Sequence, residues 1–361
     1  MSEPSRIKQL DDRTIGHIAA GEVVERPAQV VKELIENSID AKSSRITIEI
    51  DRGGFDLIRI TDDGTGIHEH DLSLSLDRHA TSKLSNEEDL AAIGTLGFRG
   101  EALASIGMVS KLSISSRPPG TEGRSIVMDN GNKDKIEPAG IAEGTSIEVS
   151  HIFSNQPARL AFQRRPATET SKIVDVVVSH AICHPEVGFR LVSDEKTILE
   201  VPAVDEMEDR LYDVLGRQAG KMIPISAPKS DSDAPGDERW SGWISTPDIT
   251  RGKGDEIHVL INGRPVAAQP FLQSIRRGYK TRLMQGRHPV AVLLLDLPND
   301  EVDVNVHPTK REVRLKHSWR VLERLERSIA HTLESTPTEP ESSGGITGIT
   351  SLAPQPAERR V

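Results

Sequence analysis

The chain has 361 residues, 36% of them hydrophobic, which allows roughly two or three packed domains. The chain has no apolar run near the roughly 20 residues of a membrane span, no signal-peptide core and one cysteine, so we expect a cytoplasmic protein without a disulfide or a membrane segment. The formal net charge of −10 argues against a surface coated uniformly for nucleic acid, although a local basic groove is compatible with it.

Residues 1–155 are predicted to form one mixed α and β domain. Proline suits the first turn of a helix, so Pro27 marks a helix start, and residues 52–55 are expected to join two strands as a hairpin. Residues 68–105 are polar and weakly periodic, and this length is typical of a lid. The predicted elements are helices over 11–20 and 27–41, and strands over 45–51, 57–61, 111–116, 123–129 and 144–149.

Residues 156–220 are expected to be a connecting part and the start of a second unit, which continues over 221–335. The run PVAVLLLDL in this unit is apolar on both faces and therefore predicts a buried central strand. Residues 336–361 are rich in Ser, Thr, Pro and Gly and are expected to be a disordered linker. The predicted elements are helices over 167–183, 205–215, 270–281 and 318–334, and strands over 188–193, 256–262, 289–296 and 302–306.

The helix over 27–41 carries three polar residues on one face. Glu33, Asn37 and Asp40 lie at positions i, i+4 and i+7. A carboxylate at Glu33 would suit a general base, and the Asn37 oxygen would suit Mg²⁺, which prefers oxygen ligands. Taken alone, the pattern is more typical of the solvent face of an ordinary helix.

Glycine-containing segments add to this pattern. Asp62 follows a predicted strand in DDGTG (62–66), where it would accept a hydrogen bond from an exocyclic amine beside closely approaching backbone. The segment TLGFRGEAL (95–103) leads into a helix whose first N–H groups attract phosphate, although it is not a Walker loop. The hydroxyls and ammonium group of RHATSK (78–83) also suit phosphate. Each segment alone is more typical of an ordinary turn.

Taken in order, these motifs resemble the MutL family, a group within the gyrase, heat-shock chaperone, histidine kinase and MutL superfamily. The resemblance spans roughly residues 7–334 and implies an α+β fold. A Bergerat-type ATP-binding α/β sandwich would be followed by a second, smaller α/β domain of ribosomal-protein-like type. The motifs are GEVVERP (21–27), ELIENSIDA (33–41), DDGTGI (62–67), RHATSK (78–83), GFRGEALASI (97–106), NQPAR (155–159), INGRPV (261–266) and VDVNVHPTKREVR (302–314).

The resemblance also implies ATP and Mg²⁺ as cofactors and assigns roles to particular residues. Glu33 matches the general base, Asn37 the Mg²⁺ ligand, Asp62 the adenine-binding aspartate, and Lys310 a catalytic lysine that reaches the γ-phosphate. Further matches to nucleotide-binding positions are Gly64, Gly66, Thr81, Ser82, Lys83, Leu96, Gly97, Phe98, Arg99, Gly100 and Thr145.

Three positions depart from the commonest family pattern. Lys42 stands where glycine is frequent, Asp63 where asparagine is frequent, and Gln156 where threonine is frequent. These changes remove no catalytic group, but they put the local affinity for nucleotide in doubt.

The function that the resemblance implies is an ATP-dependent clamp of DNA mismatch repair, which slowly hydrolyses ATP and dimerises through its N-terminal units. The implied partners are a second copy, DNA, a MutS-type mismatch recognition protein and a downstream nuclease or helicase. The ATPase subunit of a type II topoisomerase is the main alternative, beside a sensor kinase domain and a non-hydrolysing binding module. Some family members are endonucleases through a C-terminal metal-binding domain, which we expect these residues to lack.

Two basic runs are candidates for contact with DNA. The run from Gln273 to Arg287 carries five positive charges and no acid, although charge alone more often marks a solvated face. The predicted DNA-binding residues are Arg159, Arg164, Arg165, Arg276 and Arg277.

Overall fold

The computed structural model of the chain describes residues 11–83, 100–228, 239–298, 301–303 and 313–336. The helices in these ranges are α1 (Asp12–Val23), α2 (Pro27–Asp40), α3 (Glu69–Leu72), α4 (Ala102–Met108), α5 (Pro157–Ala161), α6 (Pro166–Cys183), α7 (Met207–Leu215), α8 (Leu272–Tyr279) and α9 (Ser318–Ser335).

The strands in the first half of the chain are β1 (Arg45–Asp51), β2 (Leu57–Asp62), β3 (Lys111–Arg117), β4 (Arg124–Asp129), β5 (Asn132–Lys133), β6 (Glu137–Pro138), β7 (Gly144–Ser150), β8 (Gly188–Ser193) and β9 (Lys196–Val201). The strands that follow are β10 (Met222–Pro224), β11 (Arg239–Ser245), β12 (Thr250–Arg251), β13 (Ile257–Ile261), β14 (Arg264–Val266), β15 (His288–Pro289), β16 (Ala291–Asp296), β17 (Val302–Asp303) and β18 (Arg314–Leu315).

The first sheet has the strand order β5-β4-β3-β7-β2-β1-β8-β9, and β6 pairs with β4 at its edge. The hairpin predicted from sequence is confirmed, because β1 and β2 pair antiparallel with Ile48 opposite Ile60. Alternate residues of these strands are buried, since successive side chains point to opposite faces of a sheet. Helix α2 packs onto the buried face through Val31, Leu34 and Ile35, all of which belong to the core of this unit.

One strand lies in a different sheet from the one we expected. The strand over 188–193 was assigned to the second unit, but it forms β8, which pairs parallel with β1, so the assignment was wrong. The pairing is favourable because Phe189 and Leu191 of β8 join the first core beside Ile48. Strand β9 pairs with β8 and extends the sheet to Val201. The domain limits at 155 and 220 remain predictions from the sequence.

The second sheet has the strand order β10-β11-β16-β13-β14. The run PVAVLLLDL supplies β16 in the middle of this sheet, so the prediction of a buried central strand is confirmed. Leu293 of β16 packs into a core that includes residues of α8 and α9. Val292 points the other way, into a separate core that includes Ile182 of α6 and Leu211 of α7. The strand is apolar on both faces because helices cover both faces.

Two expected segments fall outside the described residues in whole or in part. The predicted lid over 68–105 is described only to residue 83 and again from residue 100. Of the predicted linker over 336–361, only residue 336 is described. No helix within the described ranges is both long and apolar enough to cross a membrane.

The departure at Lys42 has a conformational consequence. Lys42 is exposed and follows the end of α2 with φ at 63°, in the left-handed region that favours glycine. The backbone N–H of Lys42 bonds the Ile39 carbonyl at 2.9 Å, and that of Ser43 bonds the Ser38 carbonyl at 3.2 Å. This ending of a helix most often uses glycine.

We predict that Lys42→Gly stabilises the protein by about 0.5 kcal/mol, because relief of the backbone strain exceeds the added freedom of glycine in the unfolded chain. Urea unfolding monitored by circular dichroism measures the change in the free energy of unfolding. As a control, Lys135→Gly changes an exposed lysine without a positive φ and should lower stability. A loss of stability in Lys42→Gly would contradict the argument.

Candidate functional site

A cavity of about 770 Å³ lies between α2, the ends of β2 and β7, and the start of α4. Pockets for small ligands are typically roughly 300–1,000 Å³, so the volume suits a nucleotide. The residues expected to bind nucleotide that line the cavity are Glu33, Asn37, Asp62, Gly66, Thr81, Ser82, Lys83, Gly100 and Thr145.

The packing of α2 fixes which of its side chains face the cavity. The apolar stripe that includes Leu34 and Ile35 is fully buried, so the helix cannot rotate about its axis without exposing it. Glu33 and Asn37, one turn apart, therefore project together into the cavity. The Glu33 side chain is 18% exposed, and its Oε1 lies 3.4 Å from the Nζ of Lys32.

Asp62 lies at the end of β2, where the strand meets the cavity. Its Oδ2 accepts a hydrogen bond from the Ser38 hydroxyl at 2.8 Å, and its Oδ1 accepts one from the Gly64 N–H at 2.9 Å. Burial raises the pKa of the Asp62 carboxyl above its usual value, and the bonds from Gly64 and Ser38 partly offset this rise. These two bonds hold the carboxylate at the wall of the cavity, where it can accept a further hydrogen bond.

Thr145 lies directly opposite Asp62 in the pairing of β2 with β7. Its hydroxyl is 2.9 Å from that of Ser116, and Ser116 Oγ also accepts the Ile67 N–H at 2.8 Å. The sequence did not single out Ser38 or Ser116 as parts of the site. Ser38 did carry a signal, because it is a hydroxyl within an otherwise apolar helical stripe and a buried hydroxyl needs a partner.

Two glycines are required by close backbone approach. Gly66 has φ at 71°, and a Cβ there would lie 2.8 Å from the Pro118 nitrogen. Gly100 has φ at 61°, and its Cβ would collide with the Ala80 carbonyl. Gly64 is not among the residues that line the cavity, and it contributes through its N–H bond to Asp62.

Lys83 contacts different groups from those we expected. The sequence suggested that its ammonium group would face phosphate. In the structure the Nζ donates to Asn37 Oδ1 at 3.0 Å and to Asp40 Oδ2 at 2.6 Å. The Lys83 ammonium group is therefore hydrogen-bonded to the Asn37 oxygen that the resemblance assigns to Mg²⁺.

Several expected site residues lie outside the described residues, namely Leu96, Gly97, Phe98, Arg99 and Lys310. The departure at Asp63 does not involve the cavity lining. Both carboxylate oxygens of Asp63 are used locally, by the Ser44 N–H and hydroxyl at 2.8 and 2.6 Å and by the Arg45 N–H at 2.9 Å. Gln156 likewise lies outside the lining and accepts a bond from Arg159 at 3.4 Å.

The three arginines of the first basic run, Arg159, Arg164 and Arg165, differ in their contacts. Arg159 donates to the Gly21 carbonyl, and its guanidinium lies 5.2 Å from the centre of the Phe153 ring. Arg164 and Arg165 are exposed. Arg159 therefore has an internal role in this structure that its two neighbours do not share.

The second basic run forms a groove beside α9. Gly278 brings α8 close to α9, since a Cβ there would lie 2.7 Å from the Ile329 Cβ. Arg276 and Arg277 are exposed on α8, and they line the groove together with Lys280. The sequence predicted the cluster of charge, and the structure adds its concave shape.

The fold and the cavity are those of a nucleotide-binding ATPase, and one of the two family models that match the chain describes an ATPase of this class. "Histidine kinase-, DNA gyrase B-, and HSP90-like ATPase" matches residues 25–151, the region of the cavity. "DNA mismatch repair protein, C-terminal domain" matches residues 211–334, the region of the second sheet.

Comparison with individual relatives narrows the class of ATPases to one family. The chain is 40% identical over 338 residues to the DNA mismatch repair protein MutL of Streptococcus equi subsp. equi, covering 93% of this chain and 50% of that protein. It is 40% identical over 335 residues to MutL of Geobacter sulfurreducens, covering 92% and 54%. The chain belongs to the MutL family of DNA mismatch repair proteins and contains an ATPase domain of that family. It spans about half the length of the curated relatives it matches.

Solved structures support the same conclusion. The N-terminal domain of a DNA repair protein superposes with a TM-score of 0.76 at 25% identity, covering 89% of this chain and 98% of that one. The Aquifex aeolicus MutL ATPase domain complexed with ADP superposes with a TM-score of 0.59 at 28% identity, covering 76% and 93%. The predicted fold class, an ATPase-type α/β domain followed by a second α/β domain, is confirmed.

We predict that Lys83→Met increases the affinity of the nucleotide-free protein for a divalent cation about tenfold, because it removes a positive charge from the oxygens of Asn37 and Asp40. Titration with Mn²⁺, monitored by electron paramagnetic resonance, measures this affinity. Lys135→Met removes an exposed positive charge that does not line the cavity, and it should leave the affinity unchanged. Unchanged or weaker Mn²⁺ binding in Lys83→Met would contradict the prediction.

Proposed function

We propose that the cavity binds ATP with Mg²⁺ and that Glu33 activates water for hydrolysis of the terminal phosphate. The observation that carries the proposal is the joint projection of Glu33 and Asn37 into a cavity that Asp62 also lines. Hydrolysis needs a general base to accept a proton from water, a cation to neutralise charge, and a group that holds the adenine of the nucleotide. These three side chains would supply the protein's part of each.

The adenine would lie at the Asp62 end of the cavity. The buried carboxylate would accept a hydrogen bond from the exocyclic amine, and Thr145 would assist beside it. Gly66, which packs tightly against the backbone at Pro118, adds no side chain to this wall of the cavity, so a flat ring could approach the backbone there. Affinity for adenine over guanine follows, because guanine presents a carbonyl oxygen at the equivalent position and a carboxylate repels it.

The phosphates would lie towards Thr81, Ser82 and Gly100. Mg²⁺ would be held by Asn37 Oδ1 and would neutralise charge on the phosphates, and Lys83 must first leave that oxygen. Glu33 would take a proton from the attacking water at its carboxylate. Further contacts with the phosphates are proposed on the sequence resemblance alone. They would come from Leu96, Gly97, Phe98, Arg99 and Lys310.

We predict that Glu33→Gln leaves the affinity for ATP within about threefold and lowers kcat by about 10²–10⁴, because the amide cannot accept the proton. A coupled phosphate-release assay gives kcat, and calorimetry gives the affinity. Glu208→Gln, an exposed change on α7, is the matched control and should keep full turnover. Wild-type turnover in Glu33→Gln would remove Glu33 from the reaction.

At the level of the whole protein, we propose an ATP-dependent clamp that acts in mismatch repair. Binding of ATP would drive association of two N-terminal units, and Lys310 would complete the site. A MutS-type mismatch recognition protein and a downstream nuclease or helicase would be its partners. The ATPase subunit of a type II topoisomerase is not favoured, because the relatives at 40% identity are MutL proteins.

We propose further that the groove lined by Arg276, Arg277 and Lys280 binds the DNA backbone. The groove, of about 560 Å³, is lined by three cationic side chains and the carboxylate of Glu326, and Lys280 also pairs with Glu334. Arg276 and Arg277 are therefore the side chains that would contact the phosphates. Arg164 and Arg165 are proposed as additional contacts. The net acidic charge of the chain makes such a local patch the place where DNA would bind.

We predict that Arg276→Glu/Arg277→Glu weakens DNA binding to the same extent for unrelated sequences. The slope of log affinity against log salt concentration should become shallower by about two, because two contacts with phosphate are lost. Fluorescence anisotropy of labelled duplexes between about 50 and 200 mM salt measures both effects. Arg190→Glu/Arg217→Glu makes the same change of charge at exposed positions outside the groove and should bind more tightly than the groove variant. Equal affinity of the two variants would place the DNA elsewhere.

A further inference from the structure

A buried cluster of charged side chains lies on the side of α2 behind the cavity. Lys32 is only 5% exposed, and it is not among the residues that line the cavity. Its Nζ lies 2.6 Å from Glu36 Oε1 and 3.4 Å from Glu33 Oε1. One ammonium group thus contacts both a buried carboxylate and the carboxylate that projects into the cavity.

Lys32 remains charged in this environment. Burial lowers the pKa of its ammonium group, but the carboxylates of Glu36 and Glu33 raise it by more, so the pKa lies above its usual value. A buried ammonium group is retained at this position only because these partners compensate for its lost hydration.

Glu36, the buried partner of Lys32, packs against α6. The Nε2 of His180 lies 3.7 Å from Glu36 Oε1, and its Nδ1 lies 2.8 Å from the Val176 carbonyl. Both Glu36 and His180 are buried between the packed helices α2 and α6. Lys32 is therefore anchored at one side and contacts Glu33 at the other.

We propose that Lys32 is a positioning residue, whose ammonium group, anchored by Glu36, holds the Glu33 carboxylate in the orientation that activates water. This inference rests on the proposed role of Glu33 in ATP hydrolysis. A glutamate without such a contact has several rotamers of similar energy, and only some of them direct the carboxylate at the phosphate. Displacement of a reacting group by about 1 Å is known to reduce rates by up to about 10²-fold.

A purely structural role for Lys32 makes different predictions. Loss of a buried pair would then lower stability and loosen the cavity as a whole, so nucleotide affinity would fall with it. Its effect on kcat would also be independent of Glu33. A positioning role lowers kcat with little change in KM, and the effect vanishes when Glu33 is no longer a base.

The test is a double-mutant cycle on kcat in the full chain. Lys32→Met/Glu36→Gln removes both charges of the buried pair, so neither is left without its partner. This variant and the wild type are each compared with and without Glu33→Gln, using ATP hydrolysis, calorimetric binding of a non-hydrolysable ATP analogue, and thermal unfolding.

We expect Lys32→Met/Glu36→Gln to lower kcat about tenfold, to leave KM and analogue affinity within about threefold, and to cause no further loss in the Glu33→Gln background. An equal fold-loss in both backgrounds, or an unchanged kcat, would overturn the proposal. Wild-type turnover in Glu33→Gln alone would instead refute the proposed role of Glu33, and the positioning role with it.

Two further variants separate folding from positioning. Arg210→Met removes another buried cation, which donates to the carbonyls of Pro185, Val187 and Pro202, and should lower stability without lowering kcat. If Lys32→Met/Glu36→Gln does not fold, Lys32→Gln/Glu36→Gln, whose two amides can hydrogen-bond each other, carries the same cycle. A loss of kcat confined to the background with Glu33 supports the proposal, and its absence overturns it.

Discussion

A buried hydrogen bond from the Ser38 hydroxyl to Asp62 Oδ2, 2.8 Å long, joins helix α2 to the end of strand β2. The helix carries Glu33 and Asn37, and the strand end carries the carboxylate expected at the adenine. Because both bonded groups are buried, losing this bond would cost about 1–3 kcal/mol. The bond therefore fixes the Asp62 carboxylate relative to α2, and so relative to Glu33 and Asn37.

The helix α6 connects this arrangement to the rest of the molecule. Along its length, His180 meets Glu36 of α2, and at its end Ile182 joins the core beneath the second sheet. The Cys183 thiol donates to the Gly263 carbonyl at 2.6 Å, in the turn between β13 and β14. One helix therefore packs against both the element that carries the proposed base and the sheet that the mismatch repair family model covers.

Sequence patterns predicted the secondary structure well where periodicity was strong. The strand over 45–51 and the helix beginning at Pro27 have the expected limits within one residue, because apolar spacing and proline determine them locally. The pattern of the strand over 188–193 was equally clear, but its sheet was not predicted. Alternation shows that a strand has a buried face, whereas its neighbour depends on how α6 returns the chain to β1.

The site was predicted unevenly for a similar reason. Motif order indicated Glu33, Asn37 and Asp62, and the structure places all three at one cavity, although their chemical roles remain proposals. The bond of Lys83 to Asn37 and the contact of Lys32 with Glu33 were not foreseen. Each depends on where a long, flexible side chain finds its partner, and spacing along the chain does not determine that.

The central claim is that Asn37 and Asp62 form the two ends of one site for adenine nucleotide with magnesium. Isothermal titration calorimetry of the protein with a non-hydrolysable ATP analogue, with Mg²⁺ and then with excess chelator, tests it directly. The account predicts saturable binding of one nucleotide per chain that weakens at least tenfold without Mg²⁺, and that is lost in Asp62→Ala. Absence of binding, or binding of equal strength with chelator and in Asp62→Ala, would contradict it.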